Sequence, residues 1–484
     1  MTKRGALALD IASAMGRHLA SAVSGIVTVA VVARVLGANR LGAWSVIGAA
    51  AFLVGLADMG LSTPLQRSAL TGDAARTRRI FGFALAVVSL ASPALVLGAF
   101  VVVLRTLSSP ELARGEVVTA AAIALAGGLV GALGFPVRAL LLVRGGVRHA
   151  SASRAVGAVV QLVLTVGLTP WLRTLAAPSL ALAVALVVET ALLVSASRAL
   201  APDLLRGPSL RLERGELRAV AIEAGAPLAT NVMVSLVQRL DVLVLAAIAS
   251  LDVVAGYAVA SRACDQGALL AKQTTNALAG RFGDLRERAN AIRVGTAVMG
   301  VLASAVLVPL AVLGTPVLAM WAGPVAASPA IHRVLQILAA AGVVISAGIV
   351  AASALELTGR SPWLAARPTL VGSTVEVVVT TLGARHGGSA AIAFATVIGN
   401  AVVLGLVWRS AAAMLGWSSR DVARVVAPAV ASTLASLVVA LGLAPFAEGA
   451  LAAFVACAVA GAAGVAVGGL AAWTQAPRAA GVAS

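Results

Sequence analysis

An all-α, polytopic membrane architecture is what this chain predicts, and three observations carry it. Of its 484 residues 60% are hydrophobic and only 11% are charged, with a mean hydropathy of +1.00. Soluble domains run at about 45–50% apolar and about 25% charged. The apolar residues come in long unbroken runs, each near the roughly 20 residues that a helix needs to cross a bilayer core. The charges gather between the runs and favour alternate turns. Runs of this length exclude barrel strands and leave helices, whose backbone groups are satisfied within the segment.

Spanning-length runs fall at 12–36, 41–64, 80–104, 117–143, 155–172, 177–197, 219–246, 253–279, 294–320, 331–357, 368–384, 388–408, 423–444 and 449–473, which makes 14 helices. The first two form a hairpin over residues 16–67, turning at Leu36-Gly37-Ala38-Asn39-Arg40. Ser13, Arg17, Ser21, Ser24 and Thr28 recur at helical spacing and share one face of the first run. Asp58 interrupts the second. A spanning helix with a polar stripe is expected to face protein or water rather than lipid.

The net charge is +17, nearly all of it arginine, with Lys3 and Lys272 the only lysines. With the N-terminus inside, the inner segments carry 24 Lys and Arg against 6 outside, the latter being Arg40, Arg105, Arg114, Arg173, Arg333 and Arg385. That bias predicts both termini in the cytoplasm, and it explains the basic balance without nucleic acid. Lys3 and Arg4 precede a run that leads directly into the hairpin, so the first helix is expected to act as its own insertion signal. Trp44, Trp171, Trp321, Trp408 and Trp473 lie near run ends, where an interfacial aromatic belt is expected. Cys264 and Cys457 fall in apolar runs and read as free thiols.

The longest loop is basic and proline-containing. It divides the chain into a six-helix lobe over 1–200, a linker over 201–218, a second six-helix lobe over 219–415, and two further helices with a short tail over 416–484. The second lobe opens much as the first does: Gly42 of the first hairpin corresponds to Gly256 of the hairpin at IASLDVVAGYAV, 214 residues on. A repeated bundle is a common plan of secondary transporters. The last two helices read as peripheral.

The densest polar constellation lies on the seventh and eighth runs. Arg262, Asp265, Gln266, Lys272, Gln273 and Asn276 fall within an arc of about 120° on the eighth. Arg262 stands about 14 Å in from the turn, near mid-bilayer. On the seventh, Glu223, Pro227, Thr230, Asn231, Gln238 and Asp241 share a face, and Arg239 points off it toward a helix contact. Each mid-membrane charge costs about 2.5–3.5 kcal/mol on insertion scales. A group of them predicts either a solvated, partly cationic cavity suited to a phosphate or pyrophosphate, which arginine holds bidentately, or an internal network pairing Arg262 with Asp265 and Arg17 with Asp58. Arg138 is placed either to line the cavity or to snorkel. Glu189 and Glu376 are mid-helix carboxylates able to bind H⁺ or Na⁺ or to pack through hydrogen bonds. GxxxxGK[ST], HExxH, GxSxG and CxxC are absent from the sequence, and His18, His149, His332 and His386 are scattered. This points away from an enzyme and from any cofactor, with energy drawn from an ion or substrate gradient.

The run VVARVLGANRLGAWSVIGAAAFLVGLADMGL resembles the opening of Wzx-type lipid-linked oligosaccharide flippases, the polysaccharide biosynthesis (transport) proteins. Their "a-R-x-L-G-x-x-x-x-G" phrase is matched by Ala33, Arg34, Leu36, Gly37 and Gly42, and their "ladlGl" ending by Leu56 to Leu61. A second similarity covers Asp241 and Ala255-Gly256-Tyr257 through Arg262. The resemblance extends over about residues 10–420. It implies the fold shared by multidrug (MATE) exporters and the lipid II flippase, with two lobes around a cavity and alternating access. The implied substrate is a polyprenyl-pyrophosphate-linked sugar unit moved from the inner to the outer leaflet for surface polysaccharide such as lipopolysaccharide O-antigen. Arg17, Asp58, Arg138, Asp241, Arg262, Asp265, Gln266, Lys272, Gln273 and Asn276 are then the expected substrate contacts, and Glu189 and Glu376 the ion-coupling candidates. Expected partners are membrane lipids and the polymerase and glycosyltransferases of the pathway. A multidrug exporter is the alternative, although such cavities tend to be acidic; a membrane polymerase or ligase would need a large outer loop, and the outer loops here are short.

Overall fold

In the computed structural model, residues 3–70, 73–107, 112–143, 146–202, 212–278, 285–358 and 362–475 are described. Among them the regular structure is helical. In chain order the helices are α1 (Lys3–Leu36), α2 (Ala38–Leu53), α3 (Ser62–Leu70), α4 (Ala74–Thr106), α5 (Arg114–Val143), α6 (Val147–Leu172), α7 (Ala176–Leu200) and α8 (Arg214–Ile248). They continue as α9 (Leu251–Leu278), α10 (Leu285–Ala322), α11 (Pro329–Thr358), α12 (Pro362–Leu415), α13 (Ser419–Leu443) and α14 (Ala450–Gln475). Among the described residues, 11 helical segments are long and apolar enough to cross a membrane. The protein is therefore a polytopic helical membrane protein. This count and the 14 apolar runs differ for definable reasons. α12 is counted once but is a hairpin of the two predicted runs: its backbone leaves the helix at Gly388, where φ is 56° and ψ −142°, and its limbs touch, since a Cβ at Gly372 would stand 2.2 Å from Val403 Cγ2. α9 is diluted by Arg262, Asp265, Lys272 and their polar neighbours. α1 enters this comparison only through Ala20–Leu36, because its earlier side chains lie outside the described residues.

The chain packs as two compact units, Met1–Ala255 and Gly256–Ser484. The expected linker at 201–218 falls largely on residues 203–211, outside the described residues. In the first unit α7 lies against both α5 and α6, α6 runs along α1, and α8 packs on α2 and α3. In the second unit α11 packs on α10 and α12, while α10, α13 and α14 pack mutually.

Glycine sets the hairpin geometry at two places. Gly37 caps α2 at φ 87°, a conformation that side chains disfavour, so the chain reverses there. At Gly42 a Cβ would stand 2.0 Å from the Leu251 carbonyl oxygen, so the start of α2 touches the start of α9 backbone to backbone. The second predicted span does not run straight. After α2 comes a 3₁₀ turn, Val54–Asp58, then Met59 at φ 49° and Gly60 at φ 72°, before α3 resumes. Gly60 is wedged against α8, where a Cβ would lie 2.6 Å from the Ala224 carbonyl oxygen and 2.7 Å from the Leu228 nitrogen. The contact is beside Pro227, which offers no N–H and leaves a carbonyl of α8 without its helical partner.

One expectation, that of the tryptophans, is corrected below. The two C-terminal helices pack on α10 and on each other. Gly300, Gly461, Gly464 and Gly468 let α10, α13 and α14 approach closely, and Ser304 Oγ lies 2.8 Å from Thr433 Oγ1 while Ser432 Oγ donates to the Val301 carbonyl at 3.3 Å. Small residues with interhelical hydroxyl bonds are how helices associate where lipid supplies no hydrophobic drive. The polar stripe of α1 faces protein in part: Ser24 and Thr28 are buried, as are Thr165 and Thr169 on the neighbouring α6. Trp44 and Trp408 are core residues; Trp408 Nε1 donates to the Ala347 carbonyl at 3.2 Å and its ring stacks with Trp417. Trp171 and Trp473 are exposed, as is Trp363. Cys264 and Cys457 are free thiols.

Gly42→Ala should lower the thermal unfolding midpoint in detergent, by the equivalent of about 1–3 kcal/mol of overpacking. Gly48→Ala on the same helix, with open space around it, should leave the midpoint unchanged or raise it slightly, the usual gain from removing a helical glycine.

Candidate functional site

The broken second span places Asp58 where a helix restarts. Its carboxylate is 9% exposed, accepts from Ser62 Oγ at 2.7 Å and from the Ser62 backbone N–H at 3.4 Å, and so caps the first turn of α3. Irregular backbone at membrane depth is tolerated where it is buried in protein or lines water, and such breaks are where transporters put polar ligands. Arg17, the expected partner of Asp58, has its side chain outside the described residues.

The first unit builds a second charged locus from three helices. Glu189 on α7 is 4% exposed. Arg138 from α5 donates to Oε1, and Arg154 from α6 donates through Nη1 to Oε2 at 2.8 Å. Gly157, one turn beyond Arg154, makes the room: a Cβ there would lie 3.3 Å from the Glu189 Cβ. A carboxylate in a medium without water is unstable unless paired and hydrogen-bonded. Here two guanidiniums from separate helices serve one carboxylate. Arg138 thus meets Glu189 rather than simply snorkelling. Sequence reasoning missed Arg154, which reads as a loop charge. The available signal was depth: Arg154 lies seven residues inside the start of α6 at Val147, and Glu189 eleven before the end of α7 at Leu200, on adjacent antiparallel helices.

Glu376, on the first limb of α12, is the other deeply buried carboxylate. It too rests on a glycine, since a Cβ at Gly399 on the second limb would stand 2.6 Å from its Oε2. Ser373 and Thr380, one turn before and after it, are buried on the same face. Among the described residues no group of three His, Cys, Asp or Glu side chains is arranged to hold a metal ion.

On α8, Asp241 is buried. Arg239 turns to α2, with its guanidinium carbon 4.4 Å from the Phe52 ring centroid, a cation–π contact that gives it the helix-contact role. On α9, Arg262 is half-buried and Asp265 exposed. Among the described residues Arg262 and Asp265 make no contact of salt-bridge length, and Asp265 acts on Arg262 electrostatically from farther away. The side chains of Gln266, Lys272, Gln273 and Asn276 lie outside the described residues.

Two further ion-pair groups were not visible in the sequence. Arg76 and Arg79, one turn apart on α4, reach Glu223 at 3.4 Å and Glu216 at 3.0 Å on α8. At the other end of the same unit Arg40 forks onto Glu116 at 3.0 and 3.2 Å, and Glu116 Oε1 also takes the Leu175 N–H at 2.8 Å, capping α7. These clamp helix ends and leave the loci above as the embedded charges.

No protein-family profile and no curated protein matches the chain. Solved structures do. The inward closed conformation of the lipid II flippase MurJ superposes with a TM-score of 0.68 at 11% identity, covering 91% of this chain and 96% of that one. A Pyrococcus furiosus transporter of the MOP superfamily, whose reverse polarity of binding pocket suggests a different function, gives 0.61 at 15% over 85% and 95%. The Vibrio cholerae MATE transporter VcmN in the bent form gives 0.57 at 15% over 88% and 100%. The chain has the fold of these transporters.

A water-filled approach to α9 has a direct readout. In a background of Cys264→Ala and Cys457→Ala, the thiol introduced by Arg262→Cys should be modified by a membrane-impermeant reagent. The thiol of Ser24→Cys, on the buried face of α1, should be modified at least about tenfold more slowly, as burial blocks thiolate access. Equal protection of both would place Arg262 in packed protein.

Proposed function

We propose that the protein is an alternating-access flippase that carries a polyprenyl-pyrophosphate-linked oligosaccharide from the inner to the outer leaflet of a bacterial inner membrane, with both termini in the cytoplasm. The observation that carries this reading is the gathering of arginines at helix depth. Arg138 and Arg154 reach one glutamate from separate helices, and Arg262 stands on the polar face of α9. Such arginines suit a pyrophosphate, which accepts forked, charge-assisted hydrogen bonds, and are ill suited to a cationic drug. The fold shared with MurJ supports the same direction, since that protein is a lipid flippase.

In this reading two lobes, 1–200 and 219–415, alternate access, and 416–484 adds two helices to the second. Arg17, Asp58, Arg138, Asp241 and Arg262 receive the charged head, with Asp265, Gln266, Lys272, Gln273 and Asn276 extending the polar face of α9. The excess of inner over outer arginines supports the orientation. The protein carries no chemistry of its own. Buried Glu376 supports coupling to H⁺ or Na⁺, because a carboxylate among buried hydroxyls is a hard-oxygen site for either. The polymerase and glycosyltransferases that make and consume the sugar unit are its expected partners.

Deleting the gene should leave lipid-linked sugar units on the inner leaflet. Wild-type protein should clear them, and Arg262→Ala should lower the rate by about 10–100-fold, the effect of removing a charged anchor worth about 2–3 kcal/mol. An unchanged leaflet distribution in the deletion strain would reject the flippase. Full rescue by Arg262→Ala would reject the residue while leaving the flippase.

A further inference from the structure

The triad on α5, α6 and α7 has a feature that a purely structural brace does not need. Its carboxylate is buried but its arginines are open: the side chains of Arg138 and Arg154 are 29% and 46% exposed while Glu189 is 5%. That exposure is not to lipid. The exposed valines of α6, Val156, Val159, Val163 and Val166, lie about 120–200° around the helix from Arg154. Arg154 instead shares an arc with buried Ala150, Ala158 and Thr165, and with half-buried Gln161 two turns on. Its guanidinium therefore opens on the protein side of α6, where the neighbouring elements bring Arg138 from α5 and Glu189 from α7.

We propose that Arg138 and Arg154 form an anion-binding pair for a pyrophosphate-bearing ligand, with Glu189 as the resident counterion that the ligand displaces. This rests on the reading of the protein as a carrier of a pyrophosphate-linked lipid, and adds to it a residue, Arg154, and a role for Glu189. Two oxygens of one carboxylate already draw the two guanidiniums to a single point from separate helices. A pyrophosphate presents the same oxygen geometry with more negative charge and more lone pairs, so it competes for the same N–H donors. The resident carboxylate keeps the empty pair hydrogen-bonded and sets a threshold against weaker anions. Glu189 is a positioning residue, and Arg138 and Arg154 are ligand contacts.

The test is calorimetric binding to full-length protein in nanodiscs at fixed pH and salt. Geranyl pyrophosphate serves as a short stand-in for the lipid and inorganic pyrophosphate as the headgroup alone. Glu189→Gln should bind geranyl pyrophosphate about tenfold more tightly, because the competing charge is gone, and should translocate more slowly because release is slower. Arg154→Gln should bind about tenfold more weakly, the scale of one charge-assisted hydrogen bond. Arg154→Lys, which keeps the charge but loses the fork, should also weaken binding and serves if Glu189→Gln does not fold. Parallel shifts with inorganic pyrophosphate would support the headgroup as the recognised part, and shifts confined to the geranyl probe would overturn that assignment. Unchanged or weaker binding in a folded Glu189→Gln variant, or unchanged binding in Arg154→Lys, would overturn the proposal. Loss of binding in Arg262→Ala with none of these shifts would overturn it while the carrier reading stands. Wild-type protein that binds neither probe yet still clears lipid-linked sugar from the inner leaflet would do the same.

Discussion

A bilayer core offers no water to a polar group, and that constraint shapes each feature of this protein. Backbone groups answer it by closing into helices. Side chains answer it by finding partners across helices, and Glu189 is the clearest case. One carboxylate brought to mid-helix needs compensation, so α5 and α6 each send an arginine to it and α6 keeps Gly157 bare to seat it. The packing of α5, α6 and α7 is therefore also an electrostatic arrangement.

The same absence of a hydrophobic drive between helices explains the glycines. Inside lipid, helices adhere by close approach rather than by excluding water. Gly42 against Leu251, Gly399 against Glu376, and the set around Ser432 and Ser436 are positions where a Cβ would collide with a neighbour. The last set seats the two C-terminal helices against α10. Where a helix must stop instead, the chain uses left-handed backbone. Met59 and Gly60 end the 3₁₀ turn and leave Asp58 to cap α3. A helix break beside a buried carboxylate and the proline of α8 puts irregular backbone next to charge, a combination that transporters use for polar cargo.

The ion pairs at helix ends have a different character from those inside. Arg76 and Arg79 on Glu223 and Glu216, and Arg40 on Glu116, are partly open and tie α4 to α8 and the starts of α2, α5 and α7 together. Exposed pairs of this kind contribute little individually. Their value is in register, since each fixes how far one helix slides along another.

Much of the architecture was legible in the sequence because lipid reads it locally: length and apolarity decide whether a segment spans, and neither depends on a neighbour. The helical class, the hairpin turn at Gly37 and the placement of Arg239 at a helix contact all follow from residues close in the chain. The tertiary structure decided everything that depends on which helix lies beside which. It packed Ser24 and Thr28 of the α1 stripe against protein, drew Trp44 and Trp408 into the core, and interrupted the second span at Gly60. It also chose Arg154, from among many arginines near run ends, as a partner of Glu189. Periodicity shows which side of a helix is polar, but a charge is stabilised by the one group that reaches it, and that group was set by packing between segments far apart in sequence.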